Sequence, residues 1–389
     1  MSVNDLTFNQ ISTVLANIAS QASGKTVAAP VNTSEFVTVA QLALKTGYDP
    51  LKTAISQVLS KTIFSNRYYN RKFKGLEADA LRWGNHVRKL NPVDTPFEDD
   101  PTFELEDGQS IDHYTVLKPK TVQTNFYGQN VYKKKQTIYT EQLDAAFSSE
   151  ADFRAWLNMT LLNARNQIEK AHEETARETI LNLIGGTIAG GNDMQVVHLI
   201  TEYKAFIGET GDYNVYDPSN FPMFARWLFG RIKTLSQKLE ERSIAYHTNF
   251  DEDRDIERFS PVRDQRLYIY TPDINTIDAT VLSNTFNDEY LKLLPYEGVT
   301  FWQAIKEPNK INVNVTYMQP TGELATADFE SDKVLGILID REAAGYTVMG
   351  EKIATTPLNA SGLYFNQIYH FRDRYWNDFS ENSVVLMLD

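Results

Sequence analysis

The sequence predicts an α+β fold organised around one very long helix, and three observations carry that reading. Residues 84–138 lack helical periodicity, are punctuated by Pro92, Pro96, Pro101 and Pro119, and contain a turn signal at Asp107-Gly108. From Ser149 to Ile184, apolar residues recur at three- and four-residue spacing. Beyond that helix, strand-like and helix-like runs alternate, and the chain ends in strand.

Taken in order, residues 1–75 read as an N-terminal arm. An amphipathic stretch (Leu6, Ile11, Val14, Leu15, Ile18) gives way to small and polar residues from Ser20 to Ala29, then Pro30. A second helical pattern, Leu42 to Leu59, is interrupted by Gly47 and Pro50. Such a segment cannot close a core alone, so an extended arm lying along another surface is expected.

Residues 76–138 read as a long hairpin and its approach. Strands are expected at Phe103–Glu106 and Ser110–Leu117, on either side of Asp107-Gly108. The charge is sharply divided. Residues 97–112 hold seven acids (Glu98, Asp99, Asp100, Glu104, Glu106, Asp107, Asp112) and no base. Residues 113–135 hold five lysines (Lys118, Lys120, Lys133, Lys134, Lys135) and no acid. Two arms of opposite charge are implied.

Residues 139–200 contain the long helix. Ser148 and Ser149 are N-cap residues by type, and Glu150 and Asp152 sit where the helix dipole favours anions. Phe153, Trp156, Leu157, Leu161, Ala164, Ile168 and Ala171 form one stripe, expected to pack on strands from the tail. Ending at Gly185-Gly186, the helix spans 36 residues, or about 54 Å at 1.5 Å per residue. The stripe turns polar from His172 to Thr179, which argues against the sustained heptads of a coiled coil.

Residues 201–350 read as mixed α/β. A helix from Phe221 to Arg242 follows Asp217-Pro218, and another is expected from Asp273 to Leu282. Leu267–Thr271, Ile311–Tyr317 and Val334–Ile339 read as strands. In residues 351–389, Phe365, Tyr369, Phe371 and Tyr375 alternate with Asn366, His370, Arg372 and Arg374, and Val384–Leu388 is a short run of buried type.

Composition excludes several classes. With 42% hydrophobic and 12% aromatic residues, most of the chain is not disordered. A net charge of −13 disfavours a dedicated nucleic-acid binder, whose affinity would come from phosphate neutralisation. Cysteine is absent, which removes disulfides, thiolate metal sites and thiol nucleophiles and fits a reducing compartment. Met1–Asp5 has no cationic region leading into an apolar core, so no signal peptide is read. No apolar run is long enough to span a membrane, so no membrane partner is expected.

The apparent motifs dissolve on inspection. Ala19 to Thr26 loosely fits a phosphate-binding loop, but that loop needs a strand before it and a helix starting at Lys25-Thr26. Here the preceding segment is helical in pattern and Pro30 follows, so a linker is expected. Asp251, Asp253 and Asp255 imitate a calcium loop, but its sixth and twelfth positions are Ile256 and Val262 rather than Gly and Glu. The six histidines (His86, His113, His172, His198, His247, His370) form no close pair of the kind metal sites use. Gly185-Gly186 and Gly190-Gly191 follow a helix and read as its cap and exit. Nothing selects two carboxylates as an acid pair. No catalytic residue, cofactor or metal is assigned.

The order of parts resembles the major capsid proteins of tailed bacteriophages, the Hong Kong 97 type fold. Leu81-Arg82-Trp83-Gly84-Asn85 resembles the approach to that family's extended loop. Val334 to Glu342 resembles the strand and acidic element that leave its axial domain, and Tyr364–Leu388 resembles its closing strands. The resemblance implies an N-terminal arm (1–75), an extended loop (76–138), a peripheral domain with its spine helix (139–200), an axial domain (201–350) and closing peripheral strands (351–389). It implies a major capsid protein that self-assembles, as hexamers and pentamers, into an icosahedral shell enclosing double-stranded DNA. A scaffolding protein and a portal are the implied partners. The chain would be made in the host cytoplasm and end in the virion, without enzymatic activity. An acidic subunit would let a packaged genome slide rather than stick.

Lys133, Lys134, Lys135, Glu98, Asp99, Asp100, Glu104 and Glu106 are the expected subunit-interface residues, because a two-stranded hairpin is marginal alone in water. Two alternatives stay open: the shell of an encapsulin compartment, and a soluble α/β enzyme.

Overall fold

The computed structural model describes residues 7–47, 50–55, 72–77, 87–93, 100, 103–111, 114, 116, 118, 121–127, 129–157, 163–209, 211, 213–249, 256–283 and 295–389. The expectations for Leu81–Asn85, Glu98, Asp99, Asp112 and the three calcium-like aspartates lie outside these residues.

The N-terminal residues are helical rather than extended. Helix α1 (Phe8–Ser23) begins at Thr7, whose backbone N–H donates to Gln10 Oε1 at 2.9 Å, and stops at Gly24 in the left-handed conformation, φ 66°. Lys25 and Thr26 therefore follow a helix end and start no helix. Helix α2 (Thr33–Lys45) is capped by Asn32, whose Oδ1 accepts from the Glu35 N–H at 2.9 Å. Ile11, Leu15 and Ile18 of α1 and Phe36 and Ala40 of α2 close a core with Leu143, Phe147, Phe153 and Trp156. The sequence gives no sign of this core, because those partner residues lie about a hundred positions downstream.

The hairpin closes nearer its root than the sequence suggests. Strand β1 (Val87–Pro92) pairs antiparallel with β2 (Thr121–Phe126), Val87 opposite Phe126. The turn at Asp107-Gly108 is present, with Gly108 at φ 90° and the Gln109 N–H donating to Glu106 O at 3.0 Å. The expected strands beside it are not present among the described residues, because residues 103–111 are exposed on every side and a ladder there would bury nothing.

A second correction concerns the lysines. Lys133, Lys134 and Lys135 lie in β3 (Gln129–Tyr139), which is not an arm of that hairpin. It is the edge of a three-stranded antiparallel sheet ordered β10–β11–β3, with β10 at Ala344–Thr355 and β11 at Tyr364–Asn377. The lysines stand opposite His370, Tyr369 and Ile368 of β11. Alternation explains the placement: Tyr132 and Ile138, on one face of β3, are used by the chain's own core.

Two short helices follow, α3 (Thr140–Ala146) and α4 (Glu150–Leu157), then α5 (Asn163–Gly190), which is 28 residues long. Ser149 caps α4 by accepting from the Asp152 N–H at 3.2 Å. The apolar stripe divides between two neighbours. Trp156 stacks on Phe153 within the N-terminal core, whereas Ile168 packs on Tyr369 and Phe371 of β11.

Gly185-Gly186 does not end the helix, which continues to Gly190. A Cβ on Gly185 would stand 2.7 Å from Val315 Cγ1, and one on Gly186 would stand 2.6 Å from Phe379 Cζ. The glycines let β7 (Ile311–Met318), paired with β8 (Leu324–Ser331), and the chain after β11 approach the helix closely.

The remaining sheet is ordered β4–β12–β9–β5–β6, from β4 (Val196–His198), β12 (Ser383–Met387), β9 (Val334–Asp340), β5 (Gln265–Tyr270) and β6 (Glu297–Val299). Every residue of β9 and β12 is buried, as their unbroken apolar runs require. Helices α6 (Leu199–Ile207), α7 (Phe221–Glu240) and α8 (Thr271–Ser283) lie on this part of the chain. Leu228, Ile232 and Leu235 of α7 pack on one face of the sheet, and Ile180 and Ile184 of α5 belong to the core on the other.

Alanine normally gains about 1 kcal/mol over glycine inside a helix. We expect Gly186→Ala to reverse that sign and destabilise the chain by about 1–3 kcal/mol, as overpacking does. Chemical denaturation checks this, and a stabilised variant would mean that the approach at Phe379 is not tight.

Candidate assembly surfaces

The polar section of α5 is buried. His172, Glu173, Thr175, Arg177, Thr179 and Thr187 are all inaccessible, and such groups need partners to be tolerated. His172 Nδ1 lies 2.9 Å from Asp373 Oδ2, and the Tyr132 hydroxyl donates to the same carboxylate oxygen. That group of three joins α5 to β11 and β3. One turn on, Arg177 pairs with Glu173 at 2.7 Å and donates to the Phe301 carbonyl and, at 3.3 Å, to that of Trp302. Its guanidinium lies 3.9 Å from the Phe301 ring centroid and 5.0 Å from that of Phe73. Asn182 binds the backbone of β7 twice, donating to Thr316 O at 2.9 Å and accepting from its N–H at 2.8 Å.

The crossover from β11 to β12, residues 378–383, is equally buried and polar. Lys89 of β1 donates to Asp378 at 2.9 Å and to Glu381, and lies 3.3 Å from Glu342. Burial works against the Lys89 charge, but Asp378 and Glu381 outweigh it and hold the ammonium above its usual range. Arg258 donates to the Ser380 carbonyl at 2.9 Å and lies 3.3 Å from Glu381. The root of the hairpin is thereby fixed to the junction of the two larger sheets.

Beyond these anchors, the surface divides by charge. Asp100, Glu104 and Glu106 are exposed around the hairpin turn, beside Phe103, Tyr114 and Val116 at 98%, 90% and 76% exposure. Lys133 and Lys135 are exposed on the outward face of β3, whereas Lys134 is turned inward, where burial lowers its pKa. The register adds two cations the sequence reading did not assign, Arg372 and Lys352, which share the outward face with Lys133 and Lys135. The alternation of His370 and Arg372 with Tyr369 and Phe371 was the available signal. Among the described residues, no cluster of His, Asp or Glu could hold a metal ion, and no helix is long and apolar enough to cross a membrane.

A long helix crossing a strand sheet, with a hairpin rooted beside it and a helix-covered mixed sheet beyond, is the fold of phage shell subunits. The chain aligns with one from the capsid structure of Staphylococcus phage Andhra at a TM-score of 0.54 and 11% identity, covering 85% of this chain and 87% of that one. It also aligns with one from the structure of the head fiber and inner core protein gp22 of native bacteriophage P68, at a TM-score of 0.52 and 13% identity, covering 85% and 87%. At such identities these likenesses show the fold alone. No curated protein matches the sequence.

The Phi29-like phage major capsid protein family, by contrast, matches residues 13–387. The chain belongs to that family. It is a capsid protein, a structural subunit of the multimeric phage shell, and its place is the virion.

Beside the crossover, His247 is buried, and burial together with the Arg258 charge lowers its pKa to about 4. The unfolded chain would bind that proton near pH 6.5, so protonation favours unfolding. Stability is complete above about pH 6.5 and is lost progressively toward pH 4, by about 3 kcal/mol at most. We expect His247→Gln to show a smaller fall in stability than the native chain between about pH 7 and pH 5. Equal falls, measured by denaturation at the two pH values, would place the titration elsewhere.

Proposed function

We propose that the chain builds an icosahedral shell from hexamers and pentamers, encloses double-stranded DNA without sequence-specific contacts, and relies on a separate scaffolding protein and a portal. It is made in the host cytoplasm and performs no catalysis. In this reading residues 1–75 are the arm and 76–138 the extended loop. Residues 139–200 and 351–389 form the peripheral domain, and 201–350 the axial domain. Lys133, Lys134, Lys135, Glu98, Asp99, Asp100, Glu104 and Glu106 are subunit-contact residues.

The observation that carries it is the hairpin's outer end. Phe103 and Val116 are large apolar side chains that stay almost wholly exposed on the single chain, and an isolated hairpin is marginally stable. Neighbouring copies supply the cover when such surfaces meet, as in obligate assemblies. The acidic balance of −13 supports a wall that does not retain phosphate.

Electron microscopy of the protein co-expressed with its scaffolding partner tests the proposal. Closed icosahedral shells are expected. Monomers or open sheets, with and without the partner, would contradict it.

A further inference from the structure

Residues 300–310, which join β6 to β7, form a tethered loop with one apolar side chain at its outer turn. Trp302 is wholly buried. Its indole N–H donates to the Val334 carbonyl at 3.0 Å, and its backbone N–H donates to that of Pro308 at 2.8 Å. Gln303 binds the Asn312 backbone twice, donating to its carbonyl at 2.9 Å and accepting from its N–H at 2.8 Å. The Lys310 N–H donates to the Glu307 carbonyl at 3.2 Å, and Ala304 forms an antiparallel bridge to Glu307. The loop is therefore fixed on both sides of Ile305, which is 77% exposed. A lone exposed apolar residue is ordinary. One held out on a loop pinned at both ends is pre-ordered for a contact, and such contacts lose little entropy on forming.

A pocket of matching character lies on the same chain. It has a volume of about 350 Å³ and is lined by buried Leu267 and Leu338, with Val262 and Tyr296 at its rim. Val262 is 42% and Tyr296 38% exposed, so their own chain covers these large apolar side chains only in part. Arg263, Arg266 and Glu297 supply the pocket's charges, and neither Arg266 nor Glu297 forms an ion pair among the described residues. Burial holds the Glu297 carboxyl above its usual range, a condition that a neighbouring cation would relieve. On the loop, Lys306 and Glu307 are exposed and equally without ion pairs among the described residues. The loop thus offers one cation and one anion beside an apolar tip, and the pocket offers an anion and cations around an apolar floor.

The two features sit at opposite ends of one sheet edge. Strand β9 runs antiparallel to β5, with Leu338 opposite Leu267 and Gly336 opposite Ile269. The pocket is at the Leu338 end, whereas Trp302 fastens the loop at the Val334 end. From Gln265 to Tyr270 the strand separates those ends by roughly 17 Å at about 3.3 Å per residue, so a chain's loop does not reach its own pocket. We propose that Ile305 of one copy inserts into the pocket between Val262 and Tyr296 of a second copy, with Lys306 against Glu297 and Glu307 against Arg263 or Arg266. This rests on the shell reading and names one contact within it. Charge complementarity fixes the direction of entry, since the reversed loop would set like charges together. The contact is heterologous, one copy's loop in the next copy's pocket, and such contacts close into rings when the rotation permits.

The chain has no cysteine, so engineered disulfides report this contact without background. In the full-length protein carrying both Ile305→Cys and Val262→Cys, oxidation of assembled shells should give a ladder of covalent oligomers extending past the dimer. Either substitution alone should give none. Shells co-assembled from an equal mixture of the two single variants should give dimers and nothing larger, because each chain then carries one thiol. A disulfide needs Cα atoms within about 7 Å, so the bond cannot form along the sheet inside one chain. Separately, Ile305→Asn should lower shell yield, counted by microscopy, by about tenfold or more, because an unpaired amide enters the apolar pocket at every contact. Monomer melting should be unchanged, since Ile305 is exposed on the single chain. Ile305→Val should assemble close to the native yield.

Shells of the double variant without interchain disulfides would overturn the proposal, as would a native yield from Ile305→Asn. A monomer closed by an internal disulfide would place the contact within one chain, and a ladder that stops at the dimer would make it symmetric rather than head-to-tail; either result overturns it. Shells lost with Ile305→Asn but never cross-linked would set the loop against some other surface and overturn it too. If the native chain itself forms no shells, the shell reading fails and takes this inference with it. Native shells with no cross-link in the double variant sink this inference alone.

Discussion

Burying a polar helix imposes the strictest condition on this structure. From His172 to Thr187, α5 carries charged and hydroxylic side chains into the interior. Each such group costs free energy unless it is hydrogen-bonded there, so its partners must all be in place together. Beyond bonds within the helix itself, those partners come from three other parts of the fold. Asp373 and Tyr132 bring the three-stranded sheet, the Phe301 and Trp302 carbonyls bring the segment before β7, and Ser383 brings β12, its hydroxyl 3.4 Å from that of Thr187. The helix therefore sets relative positions that apolar packing alone would leave adjustable.

The same logic extends to the crossover at residues 378–383. Buried carboxylates at Asp378 and Glu381 are tolerable because Lys89 and Arg258 reach them. Lys89 belongs to the hairpin's root, so the loop leaves the body at a defined place while its outer end stays uncovered. A fixed root with an exposed, charged outer end suits a subunit whose last contacts are made by its neighbours. Removing Lys89 would leave buried Asp378 without its cation and Glu381 with Arg258 alone, a larger penalty than the net value of the pair.

Much of this was legible in the sequence, because periodicity reports burial. The fully apolar runs of β9 and β12 and the alternation of Phe365, Tyr369 and Phe371 mark buried strands without ambiguity. The errors came where one segment's partner lies far away in sequence. Helices α1 and α2 looked too short to close a core, and they close one only with Phe147, Phe153 and Trp156. Gly185-Gly186 looked like a helix end, because close approach by β7 and Phe379 leaves no local trace. Lys133 to Lys135 looked like a hairpin arm, because charge segregation does not reveal which strand lies opposite. The cationic sheet face was illegible for the same reason: Lys352, Arg372 and Lys133 are brought together only by register.

If buried polar partners make α5 the organising element, local stability should peak along it. Hydrogen exchange of the full-length chain measures this directly, since protection follows the free energy of local opening. Amides from His172 to Ile188 should exchange among the slowest in the molecule, while those around Asp107 exchange fastest. Exchange of the α5 amides as rapid as that of β1 and β2 would contradict the account, because the helix would then be opening independently of the sheets it is held to join.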